Sequence, residues 1–170
     1  MKRIALLILP VVALLALHGT ALAQLGDADS PSATADERIR KQLEALELKY
    51  ELSSTGNYKL VFDMGEGRSQ VVIINSSTEK LETLEIREIW SPAYKSKGQL
   101  PKDVANQMLE SSFDQKIGAW QVMTSDDDHM ATYAAKIAAN ADNKTLMLII
   151  RAVATAADRM ESKVTTGDEF

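Results

Sequence analysis

The chain has 170 residues, of which 45% are hydrophobic and 25% are charged, and its formal net charge is −5. This composition is typical of one ordinary folded domain. The sequence contains no cysteine and only two histidines, which argues against structural zinc and against cysteine or serine nucleophiles activated by histidine. Because the chain is acidic and has no basic stripe, nucleic acid is not an expected partner.

Residues 1–23 have the pattern of a secretory signal peptide. Lys2 and Arg3 precede an uncharged run from 4 to 17, and Ala21-Leu22-Ala23 supplies the small residues of a cleavage site. This order predicts export to the periplasm or the cell exterior, with cleavage between Ala23 and Gln24. An uncleaved anchor is the alternative, although the strongly apolar part is shorter than the ~20 residues that a spanning helix needs. We expect no stable membrane insertion after cleavage.

Cleavage leaves a more acidic chain, in which 17 basic side chains face 24 acidic ones and the net charge is −7. Residues 24–34 are small and polar and include a proline, so they predict a disordered linker. The folded domain is predicted over 35–163. Residues 164–170 are expected to form a flexible C-terminal tail.

The first predicted elements are a helix and a group of strands. Thr34 and Glu37 have the spacing of a capping box, which predicts a helix start. Its apolar stripe has helical spacing: Ile39, Leu43, Leu46 and Tyr50. Alternating residues from Tyr58 to Met64 predict a strand, with which a short piece at 50–53 pairs.

Two further strands are predicted before the second helix. Residues 71–74 are apolar throughout, which indicates a central strand that is covered on both faces, or on one face with a partner on the other. Residues 85–90 predict the next strand, with a bulge between Ile86 and Ile89. Ser91-Pro92 is expected to end it, because proline supplies no N–H to a strand ladder.

Proline and aspartate mark the starts of the two remaining helices. Pro101 predicts a helix whose apolar stripe has four members: Ala105, Met108, Leu109 and Phe113. Residues 117–124 and 130–139 predict a hairpin closed by an acidic turn. Asp142 caps a last helix that runs to about Lys163, with a seam at the spacing of packed helices: Leu146, Ile150, Val153, Ala157 and Met160.

This succession predicts an α+β fold. The order is α-β-β-β-α-β-β-α, and an antiparallel sheet of five to six strands has helices packed on one face. The architecture is a sandwich of two layers.

Several stretches carry a resemblance to a known family. They read YKLVF at 58–62, VVIINS at 71–76, LEIREIWSPAY at 84–94, GAWQV at 118–122 and AAKI at 134–137. On these residues, the chain from about Ala35 to Arg159 resembles the YbjN-like bacterial family, which is similar in fold to type III secretion chaperones. The resemblance implies the same sandwich, a common dimeric state, and the binding of other proteins rather than catalysis. It does not imply effector delivery, because those chaperones work in the cytosol and this chain carries an export signal.

The acidic turn contains the one histidine that remains after cleavage. We interpret His129 as part of a solvated hairpin tip. The alternative is a cation held by Asp126, Asp128 and His129, but the spaced pattern of a calcium loop is missing. No metal site and no cofactor are therefore predicted.

Arg87 and Glu88 are adjacent charges in an otherwise apolar strand, and neighbours in a strand point to opposite faces. One interpretation is an internal ion pair with Lys136 or with a helix carboxylate. The other is a binding surface, because interfaces favour arginine and aromatic residues. The candidate binding residues are Arg87, Glu88, Trp90, Tyr94 and Trp120.

The first part of the last predicted helix is more apolar than one buried stripe requires, and several alanines follow it. This pattern predicts a contact in a possible homodimer. The candidate residues for that contact are Leu146, Ile149, Ile150 and Val153.

The sequence as a whole favours an exported, non-catalytic module, chaperone-like or regulatory, that binds protein or peptide along its sheet edge or exposed face. A carrier of a small apolar ligand in an enclosed cavity is the first alternative. A hydrolase with two carboxylates about 5–10 Å apart in a cleft is the second.

Overall fold

The computed structural model describes residues 34–170, so the predicted signal peptide, its cleavage site and linker residues 24–33 lie outside the described residues. The helices in this part of the chain are α1 (Glu37–Ala45), α2 (Lys102–Asp114) and α3 (Asn143–Val164). The strands are β1 (Glu51–Leu52), β2 (Tyr58–Gly65), β3 (Arg68–Ile74), β4 (Glu79–Leu81), β5 (Leu84–Lys97), β6 (Ala119–Ser125) and β7 (Asp128–Ala138). The predicted α+β class is confirmed. The predicted short piece at 50–53 forms β1 and pairs with β2, and one further short strand, β4, was not predicted.

The strands form one antiparallel sheet in the spatial order β1-β2-β3-β5-β7-β6. The seventh strand, β4, pairs with β5 off this path. β5 is the longest strand and joins the two halves of the sheet, because it pairs with β3 on one side and with β7 along eleven positions on the other. The sheet therefore has seven strands instead of the predicted five to six.

All three helices contribute buried side chains to one hydrophobic core against one face of the sheet. Alternate residues of β2, β3, β5 and β7 point into it. Its largest members are Ile39, Leu43, Tyr58, Leu60, Ile74, Ile89, Tyr133, Leu146 and Ile150. We call this side of the sheet the helix face and the other side the open face. Among residues 34–170, no helix has the length and apolar character that a membrane crossing needs.

The predicted start of α1 is wrong by two residues. Asp36, not Thr34, is the N-cap, and its carboxylate accepts a hydrogen bond from the backbone N–H of Arg38 at 2.8 Å. The helix ends at Ala45, so of the predicted stripe only Ile39 and Leu43 are buried on it. Asp36 takes the N-cap position because its side chain also binds Arg87, a residue that lies far away in sequence.

Strand β5 does not end at Ser91-Pro92. It continues to Lys97, and the break in pairing lies between Pro92 and Tyr94, not between Ile86 and Ile89 as predicted. The bulge lets the strand pass a proline, since Pro92 has no N–H to offer its neighbours. Strand β3 is central as predicted but buried on the helix face only; Val71 and Ile73 on the open face remain partly exposed.

The predicted apolar stripe of α2 is right for Met108 and wrong for Leu109 and Phe113. The helix buries Val104 and Met108, while Leu109 and Phe113 are 66% and 92% exposed. Both pairs have the i, i+4 spacing of a helix face, so the spacing alone could not choose between them.

The predicted last helix is confirmed. Asp142 caps α3 through the N–H of Thr145 at 2.7 Å, and the five residues of the predicted seam are buried. The predicted flexible tail instead folds back onto the sheet. The backbone N–H of Glu169 donates to buried Glu161 at 2.6 Å, and Asp168 accepts from the N–H of Ser69 at 3.0 Å.

Candidate functional site

The open face carries a row of side chains that crosses five strands and is apolar from β3 to β6. The strand register places Lys59, Ile73, Trp90, Ala134 and Ala119 side by side from β2 to β6. Val61 and Val71 form a neighbouring pair on the same face. None of these side chains belongs to the core under the helices, although Ala134 is only 8% exposed and Ile73 and Trp90 are half-buried. The row is therefore a largely apolar part of the sheet that no helix of the described chain covers.

Polar groups beside the row hold Trp90 and Glu88 in place. The indole Nε1 of Trp90 donates to Asn75 Oδ1 at 3.0 Å. The carboxylate of Glu88 accepts from Asn75 Nδ2 and from Gln121 Nε2, each at 3.3 Å. These contacts fix the side chains before any ligand arrives, which lowers the entropy that binding would cost.

A shallow pocket of about 40 Å³ lies beside Glu88 on the open face. Glu79, Glu88 and Lys136 line it, together with Ile86. This volume is far below the roughly 300 Å³ at which small-molecule sites begin. The pocket brings two carboxylates together, but it can admit little more than water.

The structure divides the five predicted binding residues between the two faces. Glu88 and Trp90 lie together on the open face. Arg87, Tyr94 and Trp120 lie on the helix face, where Tyr94 and Trp120 pack against the core and Trp120 forms an edge-to-face contact with Tyr133. The five candidate residues therefore do not share one surface, because the strand alternation and the bulge after Pro92 separate them.

Arg87 forms the internal ion pair that was one of its two interpretations. Its side chain is 1% exposed, and Nη2 lies 2.5 Å from the carboxylate of Asp36 at the start of α1. Nη1 donates to the backbone oxygens of Asn75 and Ser76 at 2.5 and 3.1 Å. Lys136 is not its partner. Arg87 therefore joins β5, the loop after β3 and α1, and it is a structural residue.

The ion pair extends to the surface through Arg38, which bonds both Asp36 and Glu85 at 2.7 Å. Partial burial raises the pKa of Asp36, but hydrogen bonds from the side chain and backbone of Arg38 and from Arg87 outweigh burial and hold this pKa well below its usual range. Hydrogen bonds from Arg38 and Thr78 lower the pKa of Glu85 to about 2.

These lowered pKa values predict acid sensitivity of the fold. An acid whose pKa is depressed on folding stabilises the protein above its unfolded pKa and loses that contribution as the pH falls. We expect the urea midpoint to drop as the pH falls from about 4.5 toward about 2, the unfolded and folded pKa values of Glu85. Arg38→Ala should flatten this drop, whereas Lys41→Ala on the same helix should not. Identical pH profiles for the two variants would contradict the prediction.

The acidic hairpin does not form a cation site. Asp128 and His129 belong to β7, so their side chains point to opposite faces, and the interpretation of His129 as part of the turn is wrong. The Asp128 carboxylate is held by Lys97 at 2.6 Å and Lys95 at 3.4 Å. Within the described part of the chain, no three acidic or histidine side chains are placed to hold a metal ion.

The four predicted dimer-contact residues are at most 3% exposed within the single chain. They are Leu146, Ile149, Ile150 and Val153. Their apolar surface is already used by the core beneath the sheet, so they cannot also contact a second subunit. The apolar character of α3 is explained by its central position, where it packs against β2, β3, β5 and β7.

The sequence analysis missed a second apolar surface beside β6. Leu109 and Phe113 of α2 are strongly exposed, and Ser112 of the same helix accepts a hydrogen bond from the backbone N–H of Trp120 in β6. The lack of charge in AWQVMTS is visible in the sequence and could have drawn attention to it. The exposure of the two α2 side chains could not, because they had the spacing of a buried stripe.

The fold and the site together define an α+β protein with a single layer of helices and an uncovered sheet face. Comparison with family models, with curated proteins and with solved structures finds no match to this chain. The YbjN-like resemblance, carried by residues such as 84–94, therefore stays a prediction.

Proposed function

We propose that the protein is a non-catalytic binding module, exported to the periplasm or the cell exterior, whose open face accepts an amphipathic helix of another polypeptide. The apolar row through Ile73 and Trp90 is the observation that carries this proposal. The YbjN-like resemblance, which implies protein binding, is consistent with it.

The backbone chemistry of a sheet favours a helix as the occupant. The N–H and C=O groups of β3, β5 and β7 are directed along the sheet toward neighbouring strands, so the open face offers no ladder to an extended peptide. A helix satisfies its own backbone and needs only apolar contact, which is how helices cover sheets in two-layer folds. A partner helix would thus cover apolar side chains on the open face, as α3 does on the helix face.

Charge adds a preference for a basic partner. Glu88 lies next to Trp90, and the chain that follows the predicted cleavage site has a net charge of −7. Lysine or arginine beside the apolar stripe of the partner would be attracted by this field. We therefore expect binding to weaken as salt increases.

Trp90 and Trp120 allow a direct test, because they lie on opposite faces and are the only two tryptophans. In Trp120→Phe, Trp90 alone reports from the open face. The replacement is mild, since the indole nitrogen of Trp120 has no hydrogen-bond partner among residues 34–170. The probe is a peptide of about 18 residues with leucines on one helical face and lysines on the other, long enough to form a helix.

We expect the probe to shift the Trp90 emission to shorter wavelengths and to saturate. In Trp90→Phe, where Trp120 reports from the helix face, the same titration should give no shift. Ile73→Lys should weaken binding at least tenfold, because it places a charge in the middle of the row. A peptide of the same composition with alternating leucine and lysine is the control. If it shifts Trp90 equally, or if neither peptide does, the proposal is wrong.

A further inference from the structure

Glu88 is a half-buried carboxylate that has no counter-ion within the described chain. Its two oxygens accept hydrogen bonds only from neutral amides, those of Asn75 and Gln121, at 3.3 Å each. Lys136 lies directly opposite Glu88 in the register of β5 and β7, but its Nζ lies 3.5 Å from the carboxylate of Glu79 instead. Withdrawing a charge from water without a partner costs free energy. A cation from another molecule would offset that cost.

The pocket beside Glu88 has the size of an ammonium group. Its volume of about 40 Å³ is close to the ~30 Å³ that one water molecule occupies in the liquid. The ammonium of lysine is compact, whereas the guanidinium of arginine is a planar group with five donors. Glu79, Glu88 and Ser77 line the pocket and carry oxygen acceptors for the three N–H groups of an ammonium. Lys136 balances only one of the two carboxylates, so the pocket keeps a negative charge.

Apolar side chains lie on both sides of this pocket along β5. In one direction are Trp90 and its neighbour Ile73, which belong to the row described above. In the other direction, Leu84 and Leu81 stand opposite each other in the β4–β5 hairpin and are 46% and 65% exposed. The alternation of β5 places Leu84 on the open face together with Glu88. The pocket is therefore a polar position between two apolar surfaces.

We propose that the pocket binds the ammonium group of one lysine that interrupts the apolar stripe of the partner helix. This inference rests on the proposed function, because it specifies which helix the open face accepts. Glu88 and Trp90 are two strand residues apart, about 6.6 Å, and four residues of a helix span about 6 Å. The lysine therefore stands four residues from the apolar residue that covers Trp90. Its methylene stem packs on Ile86, which lines the pocket.

A lysine inside the stripe makes binding selective. A helix with an unbroken leucine stripe can slide along an apolar surface, because every register offers similar contacts. A helix with one lysine in the stripe has a single register in which this charge meets Glu88. In any other register the charge would lie against apolar side chains such as Ile73, where its desolvation is not compensated. The pocket thus determines both the sequence and the position of the partner helix.

Peptides that differ at one position test this inference without any change to the pocket. The parent is the probe of about 18 residues with a leucine stripe, and a central leucine of the stripe is replaced by lysine, acetyl-lysine or arginine. Binding is followed by the emission of Trp90 in Trp120→Phe. We expect the lysine peptide to bind about tenfold more tightly than the acetyl-lysine peptide, which keeps the stem but has no charge. The arginine peptide should bind more weakly than the lysine peptide, because its head group is too large for the pocket.

Two pairs of variants assign the effect to the pocket. Glu88→Gln should make the lysine and acetyl-lysine peptides bind alike, whereas Glu110→Gln, which removes an exposed charge from α2, should preserve their difference. Lys136→Gln should tighten binding of the lysine peptide about threefold, because it removes a competing ammonium. Lys80→Gln removes the same charge from the other face of β4 and should have no such effect. Circular dichroism checks that each variant is folded.

The outcomes separate this inference from the proposed function. If the lysine and acetyl-lysine peptides bind alike while the parent peptide still gives a saturable Trp90 response, the lysine site is wrong and the proposed function stands. Loss of the difference in Glu110→Gln as well as in Glu88→Gln would also overturn the lysine site, because overall charge would then explain the effect. If Glu88→Gln does not fold, the comparison of the peptides on the intact pocket decides. If no peptide shifts Trp90, both proposals are wrong.

Discussion

Replacing Asp36 with alanine is expected to lower the free energy of unfolding by about 4 kcal/mol, because it leaves a charged arginine buried without its counter-ion. Arg87 is 1% exposed and retains only two backbone carbonyls as partners once the carboxylate is gone. The loss is a large part of the 5–15 kcal/mol by which domains are stable. Urea unfolding followed by circular dichroism, at low temperature and neutral pH, measures it.

Asp36→Asn separates the two roles of this residue. Asparagine is as good an N-cap as aspartate, so this variant keeps the cap on Arg38 and removes only the charge. We expect it to retain the helix start but to lose most of the stability that alanine loses. Arg38→Ala, which removes a half-exposed partner of the same carboxylate, should cost about 1 kcal/mol or less. If Asp36→Ala cost no more than Arg38→Ala, the central role of the buried pair would be refuted.

Replacing Gly118 with alanine is expected to destabilise the protein by about 3 kcal/mol, through two additive causes. The residue has φ +82°, a conformation that side chains disfavour. A Cβ atom there would also lie 2.6 Å from the backbone oxygen of Ala134 and 2.8 Å from the ring of Tyr133. Since Gly118 immediately precedes β6, the strain would also displace the start of that strand.

Gly98→Ala is the matched control for this prediction. Gly98 has φ +71°, but a Cβ atom there meets nothing within 4 Å. It should therefore cost only the conformational part, about 1 kcal/mol. The difference between the two variants in urea unfolding isolates the steric contact with β7. If both variants lost the same free energy of unfolding, the prediction would be wrong, because the atoms around Gly118 would then make room for a Cβ atom at no cost.

The elements that the sequence predicted well are those with one dominant local signal. The four-and-three spacing in α3 and the alternation in β2 have no competing interpretation, and both elements formed where expected. The path of β5 was harder, because Pro92 is a local signal to stop. The bulge and the pairing with β7 override that signal, and both depend on residues about forty positions away.

Only the part of the candidate site that depends on a local sequence pattern could be predicted. Alternation in β5 correctly placed Arg87 and Glu88 on opposite faces, but it could not say which face the helices cover. That choice is made by Asp36, whose carboxylate draws Arg87 inward and thereby turns Glu88 and Trp90 toward the open face. The sequence could not reveal this contact, since the two charges lie 51 positions apart.

The position of β5 at the centre of the sheet also determines when the fold can close during synthesis. A nascent chain that has emerged only as far as Lys97 contains β5 and its neighbour β3 but not β7, which is the partner for most of its length. One side of the longest strand then stays bare until a further forty or so residues have been added. In this interval, an unpaired row of backbone groups beside Ile89 and Ala93 invites aggregation. A chaperone that shields this transient edge would therefore raise the yield of folded protein more than one that acts on the finished domain.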